Sequence, residues 1–198
     1  MTAQIENVFM YRGARYAVAS VSDGKLFAPD DFGLKTEFTT TACYRGYVAV
    51  FALADDRLIL DEFHVALEPP EGIGWEACGP EINGVAPLGP DERFDLFNNH
   101  YIGLAFPLPY SGSLWIARDP IKELTVNSGY HEVWKYRDVL ELVFVNGALS
   151  EAYNRSKEMQ ARRDAPYAPS DELPNPDAIS AEDLERLVGY ELDAQEDG

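Results

Sequence analysis

Apolar and polar residues alternate in short runs over most of the first 154 positions, and turn residues break these runs every ten residues or so. A period of two predicts strands rather than helices. The clearest case is "LVFVNGALSEAY", where Asn146-Gly147 lies between two β-prone runs. That dipeptide favours the positive φ angles of a two-residue type I′ turn. Counting outward predicts Val145 opposite Ala148, Phe144 opposite Leu149, Leu140 opposite Tyr153 and, without a bulge, Asp138 opposite Arg155.

A second hairpin is predicted around Asp55-Asp56 in "GYVAVFALADDRLILDEFHVAL", with Phe51 facing Leu60, Val48 facing Phe63 and Tyr47 facing His64. Both faces of Tyr47 to Leu53 are apolar, so this strand should be central and covered on each side. Asp23-Gly24 suggests a third, N-terminal hairpin. Further strand-like runs, "YIGLAFPL", "SLWIA" and "IKELTV", are punctuated by Pro107, Pro109, Gly112 and Asp119-Pro120. The pattern predicts a mainly β fold: an antiparallel sandwich or partly open barrel built of hairpins, with a short C-terminal helix.

Two regions depart from this rhythm. Glu68 to Asn99 holds five prolines and five glycines and reads as a long excursion with one short strand around Ile82 to Val85. After Asn154 the β pattern stops, which divides the chain into an antiparallel β domain, 1–154, and a Pro-rich acidic tail, 155–198. Within the tail "RSKEMQARR" suits a short helix. "AISAEDLERLVGY" suits another near 180–188, with Ser180 as N-cap, an Ile179–Leu184 staple and Gly189 at the C′ position. Its stripe of Leu184, Leu187 and Val188 is too small to hold an isolated helix, so it is expected to dock on protein surface.

"SGYHEVWKYRDVLELVF", from Ser128 to Phe144, crowds charges and aromatics together. Carrying the period of two back from the Asn146-Gly147 turn puts Trp134, Tyr136, Leu140, Leu142 and Phe144 on one face, and Lys135, Arg137 and Glu141 on a solvated one, with a bulge or bend near Arg137. His131, beyond Gly129, is left to project into a cleft.

Charge narrows the partners. Lys plus Arg is 16 and Asp plus Glu 34, giving −18, and the stretch from Ser170 to Gly198 carries ten acidic residues against one basic. Such a field repels phosphate backbones and anionic lipid, so neither nucleic acid nor membrane is an expected partner. The opening "MTAQIENVFMYRG" has no basic start followed by an apolar run, and a cytoplasmic location is expected. Cys43 and Cys78 are too sparse for a disulfide framework or a zinc knuckle and read as free thiols, a single bridge between them remaining open.

No phosphate-binding glycine loop, nucleophile elbow or H-E-x-x-H zinc motif occurs. His64, His100 and His131 do not lie at ligand spacing on one element, so no metal or cofactor is expected. His64 shares a strand face with Glu62, which should satisfy its ring. Arg45, flanked by Tyr44 and Tyr47, has the chemistry to stack, to fork onto a carboxylate, or to pin a strand end.

The segments "CYRGYVAVFALADDRLIL", "YSGSLWI" and "VNSGYHEVWKYRDVLELVFVNGALS" resemble those of a group of bacterial β-rich proteins with no assigned activity. The shared marks are an aromatic-Arg-Gly-Tyr strand start (Tyr44, Arg45, Gly46, Tyr47), an aromatic-Ser-Gly-x-Leu strand (Tyr110, Ser111, Gly112, Leu114) and a Val-x-x-Gly-Tyr segment (Val126, Gly129, Tyr130), over roughly Leu26 to Asn154. The resemblance implies one β-rich domain and no particular chemistry.

Two functions suit these observations. One is a non-catalytic acidic module, inhibitor- or immunity-like, that binds a basic protein as a monomer or homodimer. The other is a small-molecule-binding or enzymatic β domain in which Tyr110, Trp115, Tyr130, His131 and Trp134 line an apolar pocket and Arg45 grips an anion. A filled interior favours the first, and a deep pocket lined by those aromatics favours the second.

Overall fold

The computed structural model describes residues 3–90, 96–124 and 129–164. Eight strands run in chain order: β1 (Val8–Tyr11), β2 (Ala14–Val21), β3 (Tyr47–Ala54), β4 (Arg57–Val65), β5 (Asn99–Pro107), β6 (Gly112–Pro120), β7 (Tyr136–Val145) and β8 (Ala148–Asn154). One helix, α1 (Ser156–Asp164), follows where "RSKEMQARR" predicts it. The helix expected near 180–188 lies outside the described residues.

The strands form one mixed sheet in the order β3-β1-β2-β6-β7-β8-β4-β5, and β3 also pairs with β4. The pairings therefore run round from β3 and return to it. The β8–β4 step is a single bridge, Arg57 with Ala148, so the sheet is a partly open barrel rather than a sandwich or a closed barrel. The expected antiparallel pairing holds in every ladder except β1–β3, which is parallel. Two strands so far apart in sequence have room for the crossover that parallel pairing needs.

Asn146 (φ 48°) and Gly147 (φ 76°) make the expected turn, and Val145–Ala148 and Phe144–Leu149 pair as counted. A bulge at Ser150 then shifts the register by one, so Leu140 meets Asn154 instead of Tyr153, and Asp138 pairs with Arg118 of β6 rather than with Arg155. The Asp55-Asp56 turn also has two positive φ angles, 48° and 58°, and Phe51 faces Leu60. Beyond that pair Asp61 is extra, so Val48 meets His64 and Tyr47 meets Val65. The apolar pattern itself requires this bulge: Leu58 and Leu60 point inward at even positions, Phe63 and Val65 at odd ones.

The N-terminal hairpin turns at Arg12-Gly13 (φ 50° and 77°), not at Asp23-Gly24. After Val21 the chain leaves the sheet and sends Phe27 into the barrel, its ring 4.9 Å from Phe63 and 6.1 Å from Tyr47. Of "IKELTV", the described part, Ile121 to Leu124, forms a turn, and the rest lies outside the described residues. In the long excursion the expected strand at Ile82–Val85 is a tight turn closed by one bridge.

The interior is filled by Phe9, Phe51, Leu58, Leu60, Phe63, Tyr101, Leu114, Leu142 and Phe144, all at most 1% exposed. Burial on this scale supplies the main folding drive. Two smaller clusters coat the outside. Met159 of α1 packs with Ala117, Val133, Tyr136 and Val139, so α1 belongs to this packing. Cys43, Val48, Ala66 and Phe97 form the other. Among the described residues no helix is long and apolar enough to cross a membrane.

Candidate functional site

Arg45 stands at the start of β3 and uses its whole guanidinium. Its Nε donates to the Tyr47 carbonyl (2.7 Å), Nη2 to the Ile5 carbonyl and Asn7 Oδ1 (both 2.9 Å), and Nη1 to the Tyr130 hydroxyl (2.8 Å). The group also lies over the Tyr47 and Tyr130 rings, at 5.1 and 5.8 Å. The acceptors among the described residues are carbonyls, an amide and a phenol, so Arg45 ties the N-terminal segment and Tyr130 to β3. Gly46 beside it has φ 70°, and a Cβ there would fall 2.1 Å from the Glu37 carbonyl oxygen. The Arg-Gly pair is thus a backbone device.

Of the six candidate residues, Arg45 and Tyr130 meet. Tyr130 is brought in because Gly129 bridges to Ala3, with the Gln4 amide donating to the Gly129 carbonyl. His131 follows it, edge-on to Tyr136 at 6.4 Å, and its shielded Nδ1 has no hydrogen-bond partner among the described residues. Tyr136 donates to Glu6 at 2.5 Å, and burial with that carboxylate pushes its phenol well above the usual range. Trp134 sits in a tight turn under the Lys135 ammonium, 5.4 Å away, and its carbonyl accepts from Arg163 of α1. Trp115 is elsewhere on the outer face, beneath Arg155. Tyr110 is buried at the β8–β4 seam against Phe144.

Of the row expected to be solvated, Arg137 of β7 is exposed, whereas Glu141 of β7 and Lys135 just before it are not. Glu141 is buried and paired with Arg155 at 2.5 Å, and Lys135 is buried and paired with Glu132. The reason is α1, which covers that side of the strand. A solvated row would have cost nothing to leave unpaired, whereas covered charges require partners.

A cleft of about 250 Å³ opens between the 33–37 and 67–80 segments, lined by Leu34, Lys35, Glu37, Glu68, Cys78 and Gly79 among others. None of the six candidates lines it. Beneath it lies a buried run, Asn98-Asn99-His100, whose two asparagines the sequence does not single out. Asn98 brackets Leu67 by accepting from its amide and donating to its carbonyl, and also donates to the Glu76 carbonyl. Asn99 Oδ1 accepts from the Cys78 and Gly79 amides at 2.9 and 2.7 Å. Tyr101 donates to the Pro80 carbonyl. These side chains replace a strand partner for an excursion with little secondary structure of its own. The only sequence signal is a pair of asparagines at the start of a β run.

On the outer face of β4 and β5, His64 lies opposite His100 with Nδ1 to Nδ1 at 2.8 Å. His64 Nε2 is 3.3 Å from Glu62, and His100 Nε2 is 3.0 Å from the Phe97 carbonyl. The Glu62–His64 pairing is as expected, but Tyr47 points to the opposite face and His100 takes its place. Both cysteines are free thiols, Cys43 buried and Cys78 partly exposed in the cleft. No group of three or more His, Cys, Asp or Glu suited to a metal occurs among the described residues. No family model, curated protein or solved structure matches the chain.

Proposed function

We propose that the chain is a non-catalytic acidic module that recognises a basic protein, in the manner of an inhibitor or immunity protein. One observation carries this reading: the barrel interior is packed solid with aromatic and aliphatic side chains, so the −18 charge and the surface are what remain to bind with. The rival, a small-molecule-binding or enzymatic β domain, needs the six candidates around one cavity, and among the described residues they do not line one.

The excursion supplies a recognition face of the right chemistry. Ile73 and Trp75 are 48% and 44% exposed, and Glu68, Glu71, Glu76 and Glu81 of the same stretch of chain are exposed too. An exposed indole within a charged rim is the composition of an interface centre, and the rim would draw in Lys and Arg. The loop is braced from below by Asn98, Asn99 and Tyr101, so little ordering entropy is lost on binding.

The test is co-purification from the native host with the full chain and with the W75A and Glu71→Lys/Glu76→Lys variants as controls, then association kinetics with the protein identified. The expected partner is basic, is lost by both variants, and associates more slowly as salt shortens the Debye length to about 8 Å. A partner retained equally by both variants, or a rate indifferent to salt, contradicts the reading.

A further inference from the structure

The cleft between the 33–37 and 67–80 segments has both walls fixed from within. On one side the Glu37 amide donates to the Ala66 carbonyl at 2.9 Å, and Thr36 bridges to Leu67. On the other, Asn98 brackets Leu67, and Asn99 holds the Cys78 and Gly79 amides. A shape held in this way exists before anything binds, so a guest does not have to order it.

Size and lining then select the guest. A volume of about 250 Å³ is below the roughly 300–1,000 Å³ of small-molecule sites and suits a single long side chain. Leu34, Leu67, Pro70 and Pro80 offer apolar surface to a stem, and Glu37 and Glu68 offer carboxylates. Neither glutamate side chain has a hydrogen-bond or ion-pair partner among the described residues, although Lys35 lines the same cleft. Glu37 is partly buried, so its unmatched charge carries a desolvation cost that an incoming cation offsets.

We propose that this cleft is an arginine socket, in which one arginine of the basic partner lays its stem along the apolar walls and brings its guanidinium to Glu37 and Glu68. The planar fork matches carboxylates and is less strongly hydrated than an ammonium, so it enters an apolar-walled cleft at lower cost than lysine. That the guest belongs to a protein rests on the proposed basic partner, whereas the preference for a guanidinium can be read without one. Lys35 is exposed and repels the guest, so its removal should tighten binding. Each wall continues along the chain into exposed aromatic surface of the kind found at interface centres. Ile73 and Trp75 lie within the 67–80 segment, and Phe38, 58% exposed with its ring 5.5 Å from that of Tyr44, directly follows the 33–37 segment.

The experiment titrates the full ¹⁵N-labelled chain with Nα-acetyl-arginine methylamide and with its citrulline counterpart, which keeps the length and planarity and loses the charge. The arginine compound should shift the amides of Lys35, Glu37, Glu68 and Gly79 saturably, and the citrulline compound should leave them in place. Glu37→Gln/Glu68→Gln should weaken the arginine compound about tenfold as two charge-assisted contacts are lost. Lys35→Gln should tighten it about threefold. Unchanged amide positions for interior residues show that each variant is folded. No saturable shift at the cleft, equal shifts with citrulline, or undiminished binding by the E37Q/E68Q protein overturns the socket. A basic partner that the E37Q/E68Q protein captures as well as the wild type also overturns the socket and leaves the wider reading standing. An arginine-selective cleft in a chain whose captured partner is not basic overturns the wider reading and leaves the guanidinium site.

Discussion

The Gly147 amide donates to the Tyr110 carbonyl at 2.7 Å, and its own carbonyl accepts from the Leu58 amide at 2.8 Å. One turn residue thus stitches the β7–β8 hairpin to the β5–β6 connection and to β4, at the single bridge that returns the sheet on itself. A Cβ at this position would stand 2.4 Å from the Leu108 carbonyl oxygen, and φ is +76°. Turn and seam therefore make the same demand for glycine.

Gly147→Val should accordingly destabilise the protein by about 2–4 kcal/mol, combining left-handed strain for a β-branched residue with overpacking at the seam. Urea denaturation checks this. Equal midpoints for the two proteins would mean that neither the turn nor the seam is formed as described.

Arg45→Ala should cost about 2–4 kcal/mol, because it strips donors from two backbone carbonyls, Asn7 and Tyr130 at once. Lysine keeps the charge and loses the fork, so Arg45→Lys should recover little of that loss. The measurement is the thermal midpoint of the three proteins. Full recovery by lysine would show that charge alone matters there.

Met159→Ala should cost about 2–4 kcal/mol, since Met159 is 3% exposed against the outer face of β6 and β7. A change within a few tenths of a kcal/mol would make α1 an appendage. Spectroscopic unfolding followed by two probes separates loss of the helix from loss of the barrel.

Tyr101 is fully buried and its phenol is pushed up to about 12, chiefly by burial. A group raised in the folded state stabilises below its unfolded value, near 10, and that contribution is lost as pH climbs towards 12. Alkaline titration at the tyrosinate absorbance should therefore show Tyr101 ionising together with unfolding. In Tyr101→Phe the alkaline loss of stability should be smaller. Ionisation of every tyrosine near pH 10 with the fold intact would contradict the burial.

Local chemistry in the sequence determined the strands, the Asn146-Gly147 and Asp55-Asp56 turns, the β-rich class and the helix after Asn154, because each rests on contacts within a few residues or on a period of two. The inward switch from Leu60 to Phe63 was present in the same letters, although counting without a bulge missed it. Tertiary structure alone decided the parallel β1–β3 pairing, the seam, and the use of Phe27 as a plug in place of a hairpin. It also decided which charges are covered. Glu141 and Lys135 look solvated along one strand and are buried because a helix from later in the chain lies over them. His64 and His100 are 36 residues apart. Nothing within either run foretells a 2.8 Å contact, because the register of two strands separated by a long loop is set by the whole sheet and not by either strand.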